Sequence, residues 1–82
     1  MTVFTVFLHS INDVKKFVSA ANALPCDIDV ISGRYIIDAK SIMGMFSLDL
    51  SKPVRVELHG TEGDANHFRE LIADCIVEEQ AE

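Results

Sequence analysis

The hexapeptide VRVELH (54–59) sets the tightest limit on what this chain can fold into. Val54, Val56 and Leu58 alternate with Arg55, Glu57 and His59, so one face of the strand is apolar and the other polar. Such a strand belongs to an antiparallel sheet with one face covered and one face open to water. Two stretches supply the cover at helical spacing. Ile11, Val14, Phe17, Val18 and Ala21 form the first stripe, and Ser10 with Asp13 three residues on resembles a capping box that starts a helix at Ile11. Leu24-Pro25 ends it, because the residue before proline is pushed out of the helical region. Ala65, Phe68, Leu71, Ile72, Cys75 and Ile76 form the second stripe, with Thr61 and Asp64 repeating the cap, so the spacing predicts a helix over TEGDANHFRELIADCIVEE. The acidic tail EEQAE reads as its solvated end.

The remaining elements fall between these. TVFTVFL (2–8) is β-branched and aromatic and reads as a buried strand. DIDVIS and RYIIDA alternate on either side of Ser32-Gly33 and predict a hairpin. SIMGMFSL predicts a short helix capped by Ser41. The order is then β-α-β-β-α-β-α in one domain over 1–82. The fold class expected is α+β, with four strands in a largely antiparallel sheet and the three helices on one face of it.

Composition narrows the function. A chain of 82 residues buries only about 60–65% of its unfolded surface, which leaves little room for a deep catalytic cavity. We therefore expect no enzymatic activity. Thirteen Asp and Glu against seven Lys and Arg give a net charge of −6. That sign argues against nucleic acid or an anionic membrane as a partner and favours a protein. Cys26 and Cys75 lack the paired spacing of a closed zinc site, and the three histidines have no spacing such as HExxH. No metal or cofactor is expected. His59 lies on a strand's polar face and His67 at a helix stripe's flank. With no leader pattern and no apolar run of membrane-spanning length, the chain is expected to be cytoplasmic.

The short helix carries more apolar surface than one buried face needs. At 100° per residue, Met45 and Leu48 fall on one side with Gly44, and Ile42, Met43 and Phe46 on the other. A methionine-containing patch left facing water is a frequent protein-binding surface. A covering loop or a homodimer contact would use the same residues.

The run AKSIMGMFSL, after a hairpin and before a strand and a long helix, resembles the histidine-containing phosphocarrier (HPr) family of the sugar phosphotransferase system. The likeness extends back through FVSAANALPCDIDVISGRYIIDAKSIMG and forward through VELHGTEGDANHFRELIADCI, covering roughly residues 14 to 77. KSIMG is its most specific part, in the form usual in Gram-positive relatives. The resemblance implies an open-faced β-sandwich, a four-stranded antiparallel sheet with three helices on one face. Family members carry a phosphoryl group on a histidine at the start of the first helix, typically within LHARPA, with an arginine nearby. Counting back from Phe17-Val18 without gaps, Ser10 takes the histidine's place, Asn12 the arginine's and Asp13 the proline's. A carboxylate there repels a phosphoryl dianion. His9, in LHS, would enter the slot only with one inserted residue; otherwise it is a surface histidine in a turn.

The resemblance also implies a role for Ser41, since the matching serine of Gram-positive relatives is phosphorylated by an ATP-dependent kinase. The modified form then binds a transcriptional regulator through the adjoining helix. By that likeness Lys40, Ile42, Met43 and Phe46 form the partner-binding patch. Serine is equally a preferred helix cap, worth about 1 kcal/mol over alanine. The leading expectation is a regulatory, protein-binding module that does not carry phosphohistidine, similar to the catabolite-repression homologue within the family. The alternatives are a working phosphocarrier using His9, and a degenerate family member with an unrelated protein partner.

Overall fold

The computed structural model describes residues 1–81. Its elements run β1 (Thr2–Val6), α1 (Ile11–Asn22), β2 (Asp27–Ser32), β3 (Tyr35–Asp38), α2 (Ile42–Phe46), β4 (Val54–His59), α3 (Glu62–Leu71), a 3-10 turn (Ala73–Cys75) and β5 (Ile76–Ala81). The strands form one antiparallel sheet in the order β3-β2-β4-β1-β5. The fold is α+β, with three helices and an open sheet. No helix among the described residues is long and apolar enough to cross a membrane.

Each element follows from local chemistry. Ser10 caps α1 by accepting the Asp13 N–H at 3.2 Å. Thr61 and Asp64 make a reciprocal capping box at α3, each side chain accepting the other's N–H at 3.1 Å. The hairpin turn is Gly33-Arg34, one residue later than the sequence suggests, because Ser32 still pairs with Tyr35. Gly33 has φ +58 and is the only positive-φ residue of the described chain. Positive φ at the first central position alone marks a type II′ turn, where glycine avoids the Cβ penalty.

Two corrections to the sequence reading concern the C-terminus. The sheet has five strands, not four, and the final helix stops at Leu71 instead of running on through IVEE. Ile72 leaves helical geometry at φ −116, ψ 18, and the chain turns through Ala73–Cys75. Ile76 and Val77 then enter a strand, the conformation β-branched side chains prefer. That strand pairs with β1, whose hydrogen-bonding edge would otherwise be open. The tail read as a solvated helix end is therefore mostly β5; Glu82, its last residue, lies outside the described residues. Arg69 on α3 grips Glu79 on β5 with both Nε and Nη2, so the strand is tied to the helical layer as well as to the sheet.

The core lies between sheet and helices. Phe4, Phe17 and Phe68 meet edge to face, with ring centroids 5.6 Å apart for Phe4–Phe68 and 5.7 Å for Phe17–Phe68. Ile28, Val30, Met45, Val56 and Leu58 are among the buried side chains that pack around them. On the sheet's other face Asp29, Arg55, Glu57 and His59 meet water, as the alternation in β2 and β4 requires.

Candidate functional site

The chain leaves β1 and enters α1 through Phe7–Ser10, which brings His9 to the surface at the helix start. The His9 ring tilts against Phe7, with centroids 4.3 Å apart. Its backbone N–H donates to Asp13 Oδ2 at 2.9 Å, while the Asp13 N–H donates to Ser10 Oγ. The Asp13 carboxylate thus sits at the N-terminus of α1, where the helix dipole favours an anion. Asn12 is exposed in the same first turn. Ser10, the residue at the expected histidine position, is engaged as the cap. Lys16, further along α1, pairs with Asp74 at 3.4 Å.

Beside His9 opens a shallow cleft of about 310 Å³. Leu8, His9, Ser10, Ile11 and Val14 form one wall; Phe46 and Leu50 form the other. Ile11 is 63% exposed, Met43 78% and Phe46 45%. The structure therefore joins two features the sequence keeps apart, the His9 turn and the apolar side of the short helix. Ile11 was missed as a surface residue because its place in the α1 stripe reads as core. Its position before the first full turn, next to the cap, was the available signal.

The short helix divides its side chains much as its periodicity predicts. Met45 is fully buried and Leu48 half-buried, while Met43 and Phe46 face outward. Ile42 is half-buried and packs on the core, so it contributes only an edge to the patch. Lys40 stands apart from it. Its Nζ donates to the Leu24 carbonyl at 2.9 Å, its carbonyl accepts from Asn22, and its N–H donates to Asp38. Lys40 anchors the approach to α2 on the end of α1.

Ser41 is the exposed N-cap of α2, its Oγ accepting the Gly44 N–H at 3.1 Å. Gly44 has to be small, since a Cβ there would lie 2.6 Å from Ile37 Cγ2 and 3.1 Å from Ser41 Oγ. The KSIMG spacing therefore has a packing reason of its own: Gly44 lets α2 lie close on β3 while presenting Ser41.

The other singled-out residues lie elsewhere. His59 Nε2 is 3.2 Å from Asp29 Oδ2 on the outer sheet face, and His67 is exposed on α3. Cys26 and Cys75 are both free thiols. Burial pushes both above the ordinary thiol range, with the Asp64 carboxylate adding to the shift at Cys26 and Asp13 at Cys75.

Similarity to known proteins agrees with this geometry. The family model described as "PTS HPr component phosphorylation site" matches residues 11–78, a span that starts just past His9 and Ser10 and includes Asn12 and Ser41. The crystal structure of HPr-C-His from Thermoanaerobacter tengcongensis is similar at a TM-score of 0.68 and 27% identity, over 90% of each chain. No curated protein matches the chain. On the extent of the family match, the chain belongs to the HPr family, the phosphocarrier-like proteins of the phosphotransferase system.

Proposed function

We propose that this chain acts as a regulatory, protein-binding member of the HPr family and does not relay phosphoryl groups through histidine. The observation that carries the reading is the Asp13 carboxylate at the start of α1, hydrogen-bonded to the His9 N–H. A phosphoryl group brought to His9 would meet an anion already in the favourable place at the helix start. No arginine stands in that turn, where Ser10, Ile11 and Asn12 follow His9.

What the site offers instead is exposed apolar side chains: Met43 and Phe46 on α2, bordered by Ile42, and Ile11, which with Phe46 lines a cleft that a partner side chain can enter. Apolar contact area of this kind supports association with a protein partner. Ser41 is the regulatory acceptor in this reading. Its hydroxyl is exposed next to Met43, so a phosphate there would change the charge at the edge of the docking surface. The module performs no reaction of its own, and its working compartment is the cytoplasm, like that of the phosphotransferase system.

The test is ATP-dependent phosphorylation by the serine kinase of Gram-positive relatives, followed by binding to their catabolite-repression regulator. Wild type should gain one acid-stable phosphate and bind. Ser41→Ala should gain none, and Phe46→Asp should be phosphorylated but bind at least about tenfold more weakly, as expected when an apolar anchor is lost. Phosphorylation elsewhere, or binding indifferent to Phe46→Asp, would remove the basis for the reading.

A second reading, a phosphocarrier acting through His9, draws on the exposure of that ring at the head of α1. It differs in a single observable, transfer from phosphoenolpyruvate.

A further inference from the structure

The outer face of the sheet holds a group of side chains that the docking surface does not use. The β2–β4 register sets Asp29 opposite Glu57 and Asp27 opposite His59. Asp29 also stands opposite Asp38 on β3. Three carboxylates therefore run in a row across three neighbouring strands, and like charges directly opposite one another destabilise a sheet. The surrounding bonds offset part of that cost. Arg55 Nε donates to Glu57 Oε2 at 2.9 Å, and the Lys40 N–H donates to Asp38 Oδ1 at 2.9 Å. Between Asp29 and Glu57 comes His59, with Nε2 3.2 Å from Asp29 Oδ2 and 3.9 Å from Glu57 Oε1.

One donor atom from each of Asp29, Glu57 and His59 lies within 4.8 Å of the other two. A tetrahedral ion with bonds of about 2.0–2.1 Å spaces its donors by roughly 3.3 Å. The two histidine–carboxylate distances, 3.2 and 3.9 Å, bracket that value, and the third separation, within 4.8 Å, exceeds it by at most about 1.5 Å, which rotation of exposed side chains can close. We infer that these three side chains form a binding site for a divalent transition-metal ion of the zinc class, with water completing the coordination.

The donor chemistry selects the ion. An imidazole nitrogen with two carboxylates suits zinc and its neighbours, whereas calcium and magnesium take oxygen ligands almost exclusively. The site also has an orienting partner: Arg55 holds Glu57 by Oε2, which leaves Oε1 directed at the histidine. Side chains 38–40% exposed at Asp29 and His59 keep the site open to ions from solution. Because its ligands come from β2 and β4, a bound ion would clip two central strands together and stabilise the folded chain.

The experiment is a zinc titration of the untagged full chain by calorimetry, with imidazole resonances followed in parallel. Wild type should bind one ion saturably, the His59 ring signals should move while those of His9 and His67 stay, and magnesium at equal concentration should do neither. His59→Gln and Asp29→Asn, both at exposed or half-exposed positions and checked for folding by circular dichroism, should each weaken binding at least about tenfold. Zinc should raise the melting temperature of wild type and leave that of His59→Gln unchanged. Absence of saturable binding would overturn the assignment. So would unchanged affinity in His59→Gln, or binding lost only in a Cys26→Ser variant.

Discussion

Met43 and Met45 lie two residues apart on α2, and alanine at each should give opposite results. Met45 is fully buried among core residues, whereas Met43 is 78% exposed. Truncating a buried methionine costs about 2–5 kcal/mol, and because a five-residue helix can settle inward, the lower part of that range is expected. A chain of this size has an m-value of about 1 kcal/mol per molar urea, so the Met45→Ala midpoint should fall by about 2–3 M. The melting temperature should drop by about 10–20 °C, at 4–8 °C per kcal/mol for small domains. Met43→Ala should stay within about 0.5 kcal/mol of wild type, the usual range for a surface change. Urea unfolding followed by far-ultraviolet dichroism measures both. If Met43→Ala cost more than about 1 kcal/mol, or the two variants were equal, α2 would not present the faces described and the docking surface would lose its foundation.

Three further outcomes are expected. Ser10→Ala should lower stability by about 0.5–2 kcal/mol through loss of the α1 cap, read from thermal melts, whereas Ser10→Asn, which keeps a capping oxygen, should retain most of it. Arg69 holds the Glu79 carboxyl below its usual range, chiefly by hydrogen bonding. A carboxyl with a depressed folded-state value contributes stability that is present above about pH 4.3 and is lost as pH falls through that lower value. Wild type should therefore lose its advantage over Glu79→Gln on acidification, and equal acid sensitivity of the two would contradict the tie between α3 and β5. Cys26 and Cys75 should alkylate with half-maximal rate above about pH 8.5, since burial raises both thiols; a midpoint below neutrality would contradict the packing around them.

The parts of the fold that sequence made legible are those whose signals are local. Alternation in VRVELH, the stripe behind Ser10 and the paired strands around Gly33 each depend on neighbours a few residues away. β5 was not legible, because Cys75 and Ile76 continue the helical period of α3 and only pairing with β1 draws the chain into a strand. Tertiary pairing there overrides the local pattern. The functional surface divides in the same way. Met43 and Phe46 could be assigned outward from helical geometry alone, but the neighbourhood of Phe46 with Ile11 and His9 depends on how α2 packs beside α1. The resemblance put Lys40 in the patch, but its bond to a carbonyl 16 residues away was not legible from local sequence. Nor could Asp29 be linked to His59, 30 positions apart and joined through the β2–β4 register.

The measurement that bears most directly on the account is intact mass after incubation with phosphoenolpyruvate and the first enzyme of the phosphotransferase system, with His9→Ala alongside. The account predicts no phosphoryl adduct on either protein while a working HPr in the same mixture is fully modified. An acid-labile adduct on wild type that disappears in His9→Ala would contradict it and make the chain a phosphocarrier with a rebuilt site.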